Sequence, residues 1–470
     1  MTDTRPPAVL AAPRRWWLLA ALAVAQLMIA LDTTVITIAL PSAQADLGFA
    51  DSARQWVVTG YALAFGSLLL LSGRLADRWG RKRVLVTGLV GFAVTSAVGG
   101  AASTAAVLVG ARIGQGLFAA LLAPAALALV STTFTDPAER GRAFGVFGSV
   151  SMIGTTVGLL LGGTLTQTLS WRWTMYINVV IAIPAVVAAV LLAPDSERRT
   201  GQSLDLLGAA TATLGLFSLV FGTSRAETAG WTAPVTVGAL LTAGVLLVVF
   251  VVAQTRVEVP LLPLGILTDR GRGSALIALL LSSAGLFTTF LFLPFYLQST
   301  LGYGQVHTGL AFLPVPAALV LSAAVVGPAL SRALGARPVV PIGLTAACAG
   351  EFLLSRISVR GDYVPDLLPG LVLIGAGVGL VIATATASAT ARLDDDLAGT
   401  AAASVNAAQQ IGGSLGVAVL AAVAASAAAR VTDPAEGAVH GYGTAFGWAA
   451  ALFATGAVLT ALLTPSKEPA

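Results

Sequence analysis

Cysteine, histidine, lysine and charge are all scarce in this sequence. Cys348 is the single cysteine in 470 residues, so no intrachain disulfide can form. It lies in an apolar run, which suits a buried thiol rather than a reactive one. His307 and His440 are the two histidines, too few for a His-rich metal site, and no metal is expected. No G-x-x-x-x-G-K-S/T stretch occurs, which excludes ATP hydrolysis at a phosphate loop of that kind. Charged residues form 10% of the chain, against roughly 25% in a soluble domain. Lysine is confined to Lys82 and Lys467, a bias toward arginine that we read as genome composition. The acidic run Asp394-Asp395-Asp396 falls in an expected loop and suits a solvated helix start better than a metal site.

Apolar residues fill the space that charge leaves. The chain is 56% hydrophobic, with a mean hydropathy of +0.88. Its apolar residues come in blocks of about 20, the length a helix needs to cross hydrocarbon. A barrel would show blocks of about ten with period-2 alternation, a pattern this sequence lacks. The expectation is an all-α membrane protein with fourteen transmembrane helices. The spans fall near 16–40, 55–73, 84–103, 105–131, 142–168, 173–193, 204–223, 233–253, 274–299, 306–330, 338–357, 364–390, 399–429 and 442–464. Arg14 and Arg15 precede the first run as in a signal peptide. The run from Trp16 to Leu40 is too long for a signal core, so we expect a retained first span.

Basic residues orient these spans, because Lys and Arg concentrate in cytoplasmic loops. With both termini cytoplasmic, 19 basic residues fall on the cytoplasmic side and six outside. Arg112 alone falls within a span. Losing one span would scramble that ratio. A weak internal repeat supports the same count. Gly73-Arg-Leu-Ala-Asp77-Arg78-Trp-Gly80 joins spans 2 and 3, and Gly327-Pro-Ala-Leu-Ser331-Arg332-Ala-Leu-Gly335 joins spans 10 and 11. Parallel repeats of this kind occur in transporters built from two six-helix halves. Residues 1–200 then form one half, 256–470 the other, and 201–255 an inserted pair.

Ionisable residues inside spans mark function, since a charge at mid-bilayer costs about 2.5–3.5 kcal/mol or more. Asp32, Arg112 and Glu351 are of this kind. Asp32 lies deep in span 1 beside Thr33, Thr34 and Thr37. Desolvation disfavours the charged form of a carboxylate, which suits a group that takes up and releases a proton. A structural ion pair of Asp32 with Arg112 is the alternative. Glu351 is a second proton-site candidate, or a residue nearer the outer face. In the loop from Gly73 to Arg83, glycines allow tight turns, Asp77 suits a helix cap or an Arg pair, and the basic cluster anchors the cytoplasmic side. Polar candidates for a substrate cavity are Gln26, Asn406, Gln409 and Gln410.

The Gly73–Arg83 loop, with Asp77, Arg78, Gly80 and Arg81, resembles the G-x-L-a-D-r-x-G-r-k motif of the major facilitator superfamily. That resemblance implies two six-helix bundles, with Asp77 and Arg78 latching a cytoplasmic gate. Leu31-Asp32-Thr-Thr-Val-Ile-Thr-Ile-Ala-Leu-Pro41 and Arg112-Ile-Gly-Gln-Gly116 resemble the first- and fourth-helix motifs of its fourteen-span drug:proton antiporters. In the latter the Arg is implicated in proton coupling. Trp171-Arg-Trp-Thr-Met-Tyr-Ile-Asn178 and Gln410-Ile-Gly-Gly-Ser-Leu-Gly-Val-Ala418 resemble further stretches of that branch. The fifth-helix antiporter motif is matched at Gly154, Gly158, Gly162 and Gly163, with Leu159 where the family has Pro. Plain helix packing also accounts for glycines at four-residue spacing.

The implied function is proton-coupled efflux of hydrophobic or amphipathic compounds across the cytoplasmic membrane by a monomer. The proton gradient drives it, with no cofactor, no nucleic acid and no enzymatic step. A symporter or uniporter on the same fold is the alternative, since a fold fixes neither direction nor substrate. The extra pair at 204–253 argues against it, because such importers usually have twelve spans. A channel would need a polar filter, which is missing.

Overall fold

The computed structural model describes residues 12–134, 136–194, 205–257, 260–261, 265, 268–335, 337–390 and 395–463. Among the described residues, fourteen helical rods overlap the predicted segments. They are α1 (Ala12–Leu47), α2 (Asp51–Trp79), α3 (Arg81–Gly100), α4 (Ala105–Thr133), α5 (Pro137–Thr168), α6 (Trp173–Leu192) and α7 (Leu206–Ala229). Then come α8 (Pro234–Gln254), α9 (Arg270–Phe295), α10 (Gln305–Leu334), α11 (Val339–Leu354), α12 (Leu368–Thr390), α13 (Asp395–Ala428) and α14 (Pro434–Leu463). Among the described residues, eleven helices are long and apolar enough to cross a membrane. Several run past their predicted ends, α1 by about two turns. The shortest, α11, has 16 residues and spans about 24 Å.

Local chemistry sets the ends. Thr104 and Asp205 accept from Val107 and Gly208 N–H at the starts of α4 and α7, and Asp269 does so from Arg272 at α9. Each takes up a donor that the first helical turn leaves unpaired. The predicted Gly73–Arg83 loop contracts to one residue. α2 runs through Trp79 and α3 starts at Arg81, because Gly80 adopts φ +95° and reverses the chain alone. Gly335 also takes a positive φ, +81°, after α10, but α11 does not start until Val339. The internal repeat therefore marks a positive-φ glycine at the end of α2 and of α10, and only Gly80 makes a one-residue corner. Wide helical turns interrupt α10 at Ser322–Val326 and precede α12 at Tyr363–Leu367.

Helix packing repeats with a shift of eight. α1 packs on α5 and α6, and α9 on α13 and α14. α2 and α3 pack on α4 as α10 and α11 pack on α12, and the α3–α6 contact returns as α11–α14. Two seams join the sets: α2 against α13, and α5 against α10. Helix α7 lies on both α2 and α13. There Leu63, Leu216, Val220 and Ala418 form a separate small core. Helix α8 packs chiefly on α7 and exposes Leu241, Val245 and Val248. That unwetted face suits lipid rather than water.

The two sets meet tightly at the end that carries Gly48. Gln298 donates to the Ile38 carbonyl at 3.1 Å, Gln305 to Ser42 Oγ at 3.3 Å, and the Val306 N–H to Gln167 at 3.2 Å. The Arg54 guanidinium sits 4.2 Å from the Phe295 ring centroid. Toward the opposite end, where Gly80 and Gly335 lie, the α5–α10 seam thins. α5 packs mainly on Gln305–Phe312 and less on Pro314–Leu321.

Candidate functional site

Five helices converge on Asp32, which is fully buried, with Arg112 1% exposed. Arg112 pairs with Asp32 Oδ2 at 2.5 Å. Gln115 and Asn178 donate to Oδ1 at 3.0 and 2.6 Å. Gln115 also donates to Ser96 Oγ at 2.7 Å and accepts from Arg112 at 2.8 Å. The remaining face of the guanidinium is covered by α2: its Nε donates to the Val57 carbonyl at 3.0 Å, and the Tyr61 ring lies 4.5 Å away. Arg112 and Gln115 are three apart on α4 and so share a face. Asn178 comes from α6 and Ser96 from α3.

This geometry supplies the ion-pair reading of Asp32. A buried pair recovers its desolvation cost better the more of its lone pairs and protons are hydrogen-bonded, and here both Asp32 oxygens and the Arg112 Nε and Nη1 have partners. The neighbouring threonines do not join in. Thr33, Thr34 and Thr37 bond back to the carbonyls of Ala30, Leu31 and Thr33 on their own helix. Protonating Asp32 would remove the charge that Arg112, Gln115 and Asn178 all address, and with it the electrostatic tie of α1 to α4 and α6.

Glu351 is not brought to this cluster. It lies fully buried on α11, where Thr289 of α9 donates to Oε1 at 2.5 Å and Oε2 has no partner among the described residues.

The glycines of α5 face α1. A Cβ on Gly154 would stand 3.2 Å from the Leu27 carbonyl, one on Gly158 3.0 Å from the Leu31 carbonyl, and one on Gly162 2.7 Å from the Val35 carbonyl. The contacts advance by four residues on both helices, so α1 and α5 run parallel in close register through the level of Asp32. Gly163 instead faces α10, 2.5 Å from the Gln305 carbonyl. Leu159 is buried, and its carbonyl approaches Gly309 of α10. The α5 stripe therefore serves both packing on α1 and the seam with α10.

At the Gly48 end, Asp46 accepts from Trp171 Nε1 at 3.0 Å and pairs with Arg172 at 2.5 Å, tying α1 to α6. At the other end Arg15 pairs with Glu139 at 3.0 Å. Of the residues expected at a cytoplasmic gate, Arg78 is exposed in the last turn of α2, Gly80 forms the corner, and Arg81 opens α3. Gly73 and Asp77 fall in α2, and their side-chain surroundings lie outside the described residues. The N-cap of α3 is Gly80, so the capping role expected of Asp77 does not fall at that position. Among the cavity candidates, Gln26 and Gln409 are half-buried and Asn406 is exposed. Gln410 lies on the α2–α13 seam, its Cβ against Gly66.

Sequence reasoning passed over Gln115, Asn178, Ser96 and Tyr61. The first two carry amides in apolar spans, a polar cost that signals a buried partner. No group of three or more His, Cys, Asp or Glu that could hold a metal occurs among the described residues.

Known proteins resemble this chain over nearly its whole length. The puromycin resistance protein of Streptomyces alboniger is 45% identical, covering 97% of this chain and 93% of that protein. The cephamycin export protein of Amycolatopsis lactamdurans is 39% identical, over 93% of this chain and 90% of its own. In fold, the peptide-transporter-family structure PepTSo aligns with a TM-score of 0.71 at 15% identity, covering 97% of this chain and 98% of that one. The Major Facilitator Superfamily pattern matches residues 22–417. That span takes in the Asp32 cluster, Gly80, Gly335 and both seams, and the chain belongs to the major facilitator superfamily of membrane transporters.

Proposed function

We propose that this protein exports hydrophobic or amphipathic, antibiotic-like compounds across the cytoplasmic membrane in exchange for protons. Its fourteen helices all cross, as two six-helix bundles with α7 and α8 inserted, and both termini are cytoplasmic. The eight-helix shift in packing and the 19-to-6 distribution of basic residues support that topology. Relatives named for puromycin resistance and cephamycin export support the direction and the class of substrate. The Gly48 end is then the outer face, and the structure corresponds to a state closed outward.

The observation that carries the coupling is the Asp32 network. A proton on Asp32 frees Arg112, Gln115 and Asn178 together, so protonation and deprotonation favour different packings of α1 against α4 and α6. Exchange requires only that proton and substrate favour different states. The Asp77–Arg78 stretch is the expected latch at the cytoplasmic side, and the substrate meets the bundle interior near Gln26, Asn406, Gln409 and Gln410. The protein works as a monomer in lipid, without a cofactor.

The test is radiolabelled puromycin movement in proteoliposomes under an imposed pH gradient. Wild type should move it against the proton flow, and an uncoupler should abolish the movement. Asp32→Asn should insert normally and lose gradient-driven flux. Undiminished, gradient-dependent flux in Asp32→Asn would falsify the coupling role. Co-directional movement of proton and puromycin would favour the symport reading.

A further inference from the structure

Helix α10 takes its cap from the other helix set. α4, α5, α7, α9 and α14 each start with an acceptor side chain of their own: Thr104, Asp136, Asp205, Asp269 and Asp433. α10 starts after Gly304, which has no side chain to offer. The Thr308 N–H closes the first helical turn on the Gly304 carbonyl at 2.9 Å. The N–H groups of Gln305, Val306 and His307 therefore need acceptors from outside the helix. Gln167, at the end of α5, supplies one: its Oε1 accepts from the Val306 N–H at 3.2 Å.

The two helices are shaped for this meeting. Gly163 lies one turn before Gln167, and a Cβ there would stand 2.5 Å from the Gln305 carbonyl. One turn deeper in the seam, a Cβ on Gly309 would stand 2.6 Å from the Leu159 carbonyl. Contacts step by four along both helices in opposite directions, so α5 and α10 run antiparallel, backbone close to backbone. That approach brings the Gln167 amide within reach of the α10 start. Gly304 leaves room for it, since the nearest atom to a Cβ at that position is Gln167 Oε1, at 3.6 Å. The Gln305 side chain donates to Ser42 of α1 at 3.3 Å, so two helices of the first set hold the first turn of α10. Thr164 and Thr168 of α5 bond back to the Leu160 and Thr164 carbonyls of their own helix and take no part.

A cap given across a seam differs in its consequence from a cap within one helix. It exists only while the two sets touch at this end. Parting them leaves the Val306 N–H without it, so the whole effect of the cap favours the closed arrangement. A cap carried by α10 itself would hold in both arrangements and favour neither. Loss of a typical N-cap changes an equilibrium by about fivefold.

We propose that Gln167 is the latch of the Gly48 end: by capping α10 from α5 it biases the two sets toward closure, and Gly304 makes α10 depend on it. This rests on the exchange reading above and assigns the residue pair that sets the balance between its two states.

Distances between paired spin labels on the full chain in liposomes test it. Ser103→Cys and Arg360→Cys, in a Cys348→Ala background, place labels on exposed positions of the two sets at the Gly48 end. A short and a long distance should report the closed and open arrangements. Gln167→Leu should raise the open-to-closed ratio about fivefold. Gln167→Glu, which sets a negative charge at the positive end of α10, should lower it. Gly304 has φ −66° and ψ 162°, a conformation that suits serine at an N-cap. Gly304→Ser should therefore raise the ratio by stabilising the open arrangement. In that background Gln167→Leu should change the ratio less than about twofold, because α10 now carries its own cap. A plain packing contact would give the same shift in both backgrounds. That result overturns the proposal, as does a ratio that Gln167→Leu leaves unchanged. A single distance in every variant, with and without puromycin or a pH gradient, overturns the exchange reading instead.

Discussion

Replacing Asp32 by Asn tests the central cluster through stability as well as transport. Asn keeps the shape of Asp but turns one acceptor into a donor. If its amide takes the Oδ2 position, it faces the Arg112 guanidinium at a site that now holds an ion pair of 2.5 Å. If it takes the Oδ1 position, it meets the amides of Gln115 and Asn178, which now donate there at 3.0 and 2.6 Å. Either way a donor faces a donor, and Arg112 retains the Val57 carbonyl, Gln115 Oε1 and the Tyr61 ring as partners. Leaving a buried charge uncompensated costs about 3–5 kcal/mol. Arg112→Met should cost a similar amount by stranding Asp32. The double variant should cost much less than the sum, because it strands neither charge. Unfolding free energies of the four proteins in mixed micelles complete the cycle. Additive single and double effects would refute the reasoning, since they would mean that Asp32 and Arg112 do not act on each other.

Glycine packing gives a contrast within one protein. Gly158→Val should destabilise by about 1–3 kcal/mol through overpacking against Leu31, whereas Gly110→Ala, in open space on α4, should stabilise by about 0.4–1 kcal/mol. Thermal melts in detergent distinguish them. Gly80→Ala must adopt a left-handed conformation and should cost about 1–2 kcal/mol, with proteolysis near residue 80 as the readout. Ser42→Cys with Gln305→Cys in a Cys348→Ala background should cross-link across the closed end, and the cross-link should stop transport until it is reduced. Free transport by the fully cross-linked protein would mean that this end never opens.

The positions of the helices were legible because hydrocarbon imposes a length on every span, and α1 to α14 each answer to an apolar block. Their pairing was not, since lipid-facing and helix-facing residues are equally apolar in this chain. Gly80 and Gly335 were visible as a repeat, but only the backbone reveals the positive φ of each and the one-residue corner at Gly80. Asp32 and Arg112 stood out by the cost of burying charge. Their pairing was one of two readings, because eighty residues separate them and no periodicity joins α1 to α4. Gln115 and Asn178 carry no charge, so the same argument gave them too little weight. Glu351 was visible as an acid, while its isolation from Asp32 depends on which helices surround it.

The placement of α7 has a consequence for how the molecule can move. A helix laid across two rocking bodies is sheared by whatever displacement they make beneath it. Its small core with Leu63 and Ala418 survives only if that displacement is slight. The α2–α13 seam under α7 should therefore lie close to the pivot, with the largest excursions on the far side, where α5 meets α10. On this view the inserted hairpin serves as a fixed saddle over the axle, and distances measured from labels on α7 to either body should stay constant through the cycle.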